Sequence, residues 1–123
     1  MKAQAGLIAF LMLTATLPTG AGDKLALKVS PSVAFAPANL AVRAMVEADA
    51  QNRAIEIVAE SDDFYRSSEV QLDGDRAPRT NTFEFRSLPP GMYEVRATLL
   101  GARGEHRAAM RQQVNVMSSA AGR

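Results

Sequence analysis

From Lys24 onward the chain sets apolar residues at every second position, in runs short enough to be single strands. Leu25, Leu27 and Val29 fall on one side of the first run and Lys24, Ala26 and Lys28 on the other, the period of a strand with one buried face. Val33 to Ala36 is bracketed by Pro31 and Pro37, which suits an edge strand because proline cannot donate to a ladder. Leu40, Val42, Ala44 and Val46 alternate with Ala41, Arg43, Met45 and Glu47, and Asp49 to Asn52 reads as a turn. Arg53 to Glu60 then points Ile55, Ile57 and Ala59 inward and Glu56 and Glu60 outward, and is expected to pair with the preceding strand as a hairpin.

Leu40 to Glu60 is also rich in Ala, Met, Glu and Arg, all good helix formers. On a helix, however, Val42, Met45 and Val46 would share a face with Asp49 and Arg53, and the apolar stripe fails at Asp49 to Asn52. Strands are therefore the better reading. Ser61 to Ser67 is a loop by composition, Ser68 to Asp73 a short strand with Val70 and Leu72 inward, and Asp73-Gly74-Asp75 a tight turn in which glycine permits a positive φ.

The alternation resumes with Phe83, Phe85 and Leu88 on one side of Thr80 to Leu88, and with Tyr93, Val95, Ala97 and Leu99 on one side of Met92 to Leu100. Gly101 to Gly104 turns the chain into a last strand, Glu105 to Met117, where a bulge near Ala108 and Ala109 would align Met110 with Val114 and Val116. With Val33 to Ala36 counted as the proline-interrupted continuation of the first run, seven short strands with turn signals between them, no βαβ rhythm and no internal repeat point to an all-β sandwich.

The most specific stretch is Leu88-Pro89-Pro90-Gly91-Met92-Tyr93-Glu94-Val95-Arg96-Ala97. It resembles the turn into the sixth strand of bacterial immunoglobulin-like and fibronectin type III-like domains, and is also similar to carboxypeptidase-regulatory, prealbumin-like domains, whose Phe-x-Phe is matched by Phe83 and Phe85. The resemblance implies a seven-stranded antiparallel immunoglobulin-like sandwich. In it Leu88, Pro90, Gly91 and Tyr93 form a tyrosine corner, with the ring buried between the sheets and the hydroxyl bonded to backbone just upstream. No Trp stands on the third strand and no cysteine pair joins the second and sixth, which excludes an antibody-type domain. The resemblance sets architecture and not activity.

The N-terminus is of another kind. Met1-Lys2 followed by the uncharged apolar run Gly6 to Leu17, Pro18 and the small residues Thr19-Gly20-Ala21 has the layout of a signal peptide. Residues 1–21 are expected to be a cleaved signal helix, 22–117 the sandwich and 118–123 a disordered tail. The mature chain is then periplasmic or secreted, touching the membrane only in transit.

Composition narrows the chemistry. A chain of 123 residues, 47% hydrophobic and 22% charged, has room for one domain with a real core. Its formal net charge of +1 becomes balanced once Lys2 is removed, leaving no electrostatic case for nucleic acid or acidic membrane binding. Cysteine is absent and His106 is the single histidine, so thiolate catalysis and Cys-type metal sites have no residues to draw on, and a His-rich metal site or a His-based triad is poorly supplied.

Among the remaining groups, Glu56, Glu60, Asp62 and Asp63 match no calcium-loop spacing and read as solvated charges, and Asp73 and Asp75 as turn chemistry. Ser61, Ser67, Ser68 and Lys28 form no nucleophile arrangement. Phe64-Tyr65-Arg66 is the best binding candidate, since aromatic residues beside arginine favour interfaces and sugar-stacking platforms; the alternative is that one ring plugs an end of the core. No catalytic residue, metal or cofactor is expected. The expected role is a non-catalytic interaction or structural module with a protein or cell-envelope partner, and the alternative a carbohydrate-binding module using the loop at Phe64 and Tyr65.

Overall fold

The computed structural model of the protein describes residues 24–118. The expected signal segment 1–21 and all but the first residue of the tail 118–123 lie outside the described residues. The described residues are all-β, and their alternating runs form eight strands rather than seven: β1 (Leu25–Ser30), β2 (Val33–Phe35), β3 (Ala38–Val46), β4 (Ala54–Ser61), β5 (Phe64–Gln71), β6 (Thr80–Leu88), β7 (Gly91–Leu100) and β8 (His106–Met117). One sheet has the order β1-β3-β6 and the other β2-β8-β7-β4-β5. The helical alternative across Leu40 to Glu60 is not realised; β3 and β4 occupy it.

The inward residues of both sheets make one core. Leu25, Leu40, Val42, Ile55, Ile57, Leu88, Val95, Leu99, Val114 and Val116 are all buried in it, each aliphatic side chain stabilising by about 1.5–3 kcal/mol on burial. With no cysteine present, this packing and the strand pairing within the two sheets carry the stability.

Four expectations are corrected. β3 and β4 are not a hairpin: β3 has both edges occupied by β1 and β6, while β4 pairs with β5 and β7 in the opposite sheet. The segment Ser61 to Ser67 is not a loop; only Asp62 and Asp63 stand between β4 and β5, and β5 begins at Phe64. β5 is an edge strand exposed along most of its length, and an edge tolerates the Arg66 and Ser67 that made its first half look like loop. Asp73 to Asp75 is no hairpin turn but part of a connection between sheets, with one 3-10 turn at Gly74–Arg76 and Gly74 at φ +53°. The irregularity in β8 lies at Arg107, where Leu99 pairs with Ala108 and Leu100 with His106. From there Ala108, Met110, Gln112, Val114 and Val116 share the inner face without a further bulge.

The two long sides of the sandwich are closed by side chains. On one, Gln112 of β8 takes the place of a neighbouring strand for β1: its Oε1 accepts from Val29 N at 3.1 Å and its Nε2 donates to Val29 O at 3.0 Å. On the other, Arg66 of β5 donates to the carbonyl of Arg86 on β6 at 3.0 Å. Pro31 and Pro37, both preceded by cis peptide bonds, bracket β2, which leaves the β1 sheet and pairs parallel with β8.

Candidate functional site

The Leu88 to Ala97 stretch carries the chain from β6 in one sheet to β7 in the other. Phe85 and Leu88 both face the core although three positions apart. This follows from an irregularity at Ser87, which adopts φ 60° and donates its N–H to Asn39 Oδ1 at 3.0 Å. Tyr93 is 1% exposed and its hydroxyl donates to Pro89 O at 2.7 Å. Burial pushes the phenol above the ordinary tyrosine value, against weaker opposing effects from the Ser61 hydroxyl and the Arg66 charge. A Cβ on Gly91 would lie 3.3 Å from both Cβ and Oγ of Ser61, so glycine allows β7 to start close against the end of β4.

Phe64 and Tyr65 are separated by the pleat. Phe64 is half-buried against the core, its ring edge-on to Tyr93 at 5.9 Å with an interplanar angle of 72°. Arg66, two residues on and therefore on the same side, sets its guanidinium carbon 5.0 Å above the Phe64 ring. Tyr65 points the other way and is exposed. The three residues therefore form no common surface: Phe64 and Arg66 close the side of the sandwich and Tyr65 alone faces solvent. Neighbouring residues of a strand point to opposite faces, so a flat two-ring platform cannot form here.

The outer face of the five-stranded sheet holds features that the sequence reading passed over. Its centre is an ion-pair network: Arg96 meets Glu94 at 2.8 Å and Glu60 at 3.0 Å, and Arg111 meets Glu94 at 3.2 Å. The Arg96 and Arg111 hydrogen bonds hold the Glu94 carboxyl below its ordinary value. At the end of the face near Gly91, the register places Met92 opposite Asn115, Asn115 opposite Val33, and Met117 opposite Phe35. Val33, Phe35, Met92 and Met117 are exposed, Phe35 by 64%. With Tyr65 they are the large exposed apolar residues among those described. Beside Met92 lies an open depression of about 330 Å³ edged by Glu60, Asp62 and Glu94. The signal was present in the outward positions of the strands, but only the pairing of β2 with β8 brings the four residues together.

The opposite end is polar and packed. Asn52 is 1% exposed and gathers the β3–β4 connection: its Nδ2 donates to Glu47 O at 3.0 Å, its Oδ1 accepts from Arg107 Nε at 3.2 Å, and its carbonyl accepts from Gly74 N at 3.1 Å. Arg107, brought inward by the irregularity in β8, also meets Asp49 at 2.8 Å. These groups satisfy one another and leave little space between them. His106 is exposed, and among the described residues no group of three His, Cys, Asp or Glu side chains is placed to hold a metal ion.

No protein-family model and no curated protein matches the chain. Among solved structures it is similar to the crystal structure of a family 76 glycoside hydrolase from a bovine Bacteroides thetaiotaomicron strain, with a TM-score of 0.55 and 19% identity over 77% of this chain and 20% of that one. It also matches Spo0M, a sporulation control protein from Bacillus subtilis, with a TM-score of 0.49 and 15% identity over 76% of this chain and 49% of that one. The chain thus spans a fifth of the first structure and about half of the second. At this identity the likeness to the hydrolase is one of fold: a two-sheet β-sandwich.

Proposed function

We propose that the protein is an extracytoplasmic, non-catalytic immunoglobulin-like or fibronectin type III-like domain that binds a protein partner through the outer face of its five-stranded sheet. The observation that carries this reading is the clustering of Val33, Phe35, Met92 and Met117 at one end of that face. Soluble domains rarely gather large apolar side chains on one exposed patch without a use for it, and methionine and aromatic residues are favoured in interface centres. The three-plus-five division of strands and the buried Tyr93 bonded to Pro89 support the immunoglobulin-like assignment. Export rests on the layout of residues 1–21.

The adjoining depression supports a reading of the partner's character. Asp62, which has no ion-pair partner among the described residues, lines it together with Met92, so the complementary surface is apolar in the middle with a basic group at one margin. The carbohydrate alternative needed Phe64 and Tyr65 on one face, and Phe64 packs inward against Tyr93.

Photo-crosslinking in the producing cell tests the reading, with the probe at Phe35 or Met92 and a control at Glu69 on the far edge of the same sheet. One discrete protein adduct from Phe35 and Met92 but not Glu69, abolished by Phe35→Asp with the fold retained, is expected. Equal labelling from all three positions, or none, would sink the proposal. An adduct of twice the chain's own mass would replace the foreign partner with a second copy.

A further inference from the structure

We propose that the outer face of the three-stranded sheet carries a second site, specific for a phosphate-type oxyanion and independent of the apolar patch. The register sets Lys28 of β1 directly opposite Arg43 of β3, and Arg43 opposite Thr82 of β6. In the next outward row Ser30 faces Ala41. These five residues line a depression of about 250 Å³. All five are exposed, and the short Ala41 side chain leaves the space between the two cations and the two hydroxyls open.

The charges here are unlike the others on strands. Arg66 has the carbonyl of Arg86, Arg86 has Glu84, Arg96 has Glu60 and Glu94, Arg107 has Asp49 and Asn52, and Arg111 has Glu94. Lys28 and Arg43 have no hydrogen-bond acceptor or ion-pair partner among the described residues. Glu84, opposite Ala41, is the acid of the adjoining row, and its carboxylate is engaged by Arg86 at 3.1 Å. Like charges directly opposite on an antiparallel pair oppose each other, so this arrangement stands unrelieved until an anion enters between them.

An oxyanion fits every group present. The guanidinium of Arg43 offers a planar fork to two oxygens, and the ammonium of Lys28 a mobile point charge. The hydroxyls of Ser30 and Thr82 are neutral donors that turn to meet whichever oxygen remains. A water molecule takes about 30 Å³ in the liquid, so the depression admits the phosphate together with part of the sugar or glycerol that bears it.

The test is titration of the folded protein with inorganic phosphate, followed by amide chemical shifts. Saturable shifts confined to Lys28, Ser30, Arg43, Thr82 and their neighbours are expected. Affinity should fall at least tenfold in the Lys28→Ala, Arg43→Ala double variant and several-fold in Arg43→Lys, which keeps the charge but loses the fork, while Arg103→Ala in the β7–β8 turn leaves it unchanged. Circular dichroism checks that each variant is folded, and Arg43→Lys serves alone if the double variant is not. Shifts that never saturate, or equal affinity in the parent and Arg43→Lys, overturn the proposal. Flotation with phosphatidylglycerol against phosphatidylcholine vesicles identifies the source. Binding to the former alone, lost in the double variant, assigns a lipid headgroup; phosphate binding without vesicle binding assigns a soluble phosphate ester.

Discussion

Besides the short step from β1 to β2, two connections carry the chain from the three-stranded sheet to the five-stranded one, β6 to β7 through Pro89 and Pro90, and β3 to β4 through Asp49 to Arg53. The first is held by a buried aromatic ring with a single polar tip, which spends one hydrogen bond on Pro89 O. The second is held by a buried amide and an ion pair, Asn52 with Glu47, Arg107 and Asp49. An apolar crossing draws its stability from volume and is insensitive to salt. A polar crossing draws it from complete pairing and fails when one partner is removed.

Substitutions separate the two. Tyr93→Ala removes the ring that packs against Phe64 and should destabilise by about 3–5 kcal/mol in denaturant melts through the cavity it leaves. Asn52→Ala leaves the Glu47 carbonyl and the Arg107 Nε without their partner and should cost about 1–3 kcal/mol. If it costs as much as Tyr93→Ala, the two crossings do not differ as argued.

Tyr93→Phe keeps the volume and should cost only about 0.5–1.5 kcal/mol at neutral pH. Its pH profile is the sharper readout. Because the folded-state pKa is raised, the Tyr93 contribution is intact below the unfolded value of about 10 and is lost as pH rises through the folded value. The parent should therefore show a steeper alkaline loss of stability than Tyr93→Phe. The smallest effect is expected for Asp49→Asn, which keeps an acceptor for Gln51 N but ends the ion pair with the partly exposed Arg107. About 0.2–1 kcal/mol should be lost at low salt, and most of the difference should vanish in melts at 1 M salt, where the screening length is about 3 Å.

The same contrast explains what could be read from the chain. Leu88 to Ala97 is legible because proline, glycine and tyrosine constrain the backbone locally, whichever strands flank them. Asp49 to Asn52 is legible as a turn but not as a crossing, since nothing in those residues records that both edges of β3 are taken by strands distant in sequence. In β5 the second half is legible from Val70, while Phe64 to Ser67 is obscured because an exposed edge strand has the composition of a loop. Phe64 was legible as a plug or a platform, and only its contact with Tyr93 decides between them. The Lys28 and Arg43 pair and the apolar end of the larger sheet depend on register, which alternation within a single strand does not specify.

The pairing of Val29 with Gln112 spans 83 positions, and β2 lies alongside the last strand. β1 has β3 as its ladder partner, but β2 finds its partner, and β1 the side chain that closes its free edge, only when β8 leaves the ribosome, so a nascent chain stopped anywhere before β8 has an open seam and an unpaired β2. Folding of this domain is a whole-chain event, with the slow, non-local closure typical of sandwiches. A domain that cannot close early remains threadable until β8 has been made.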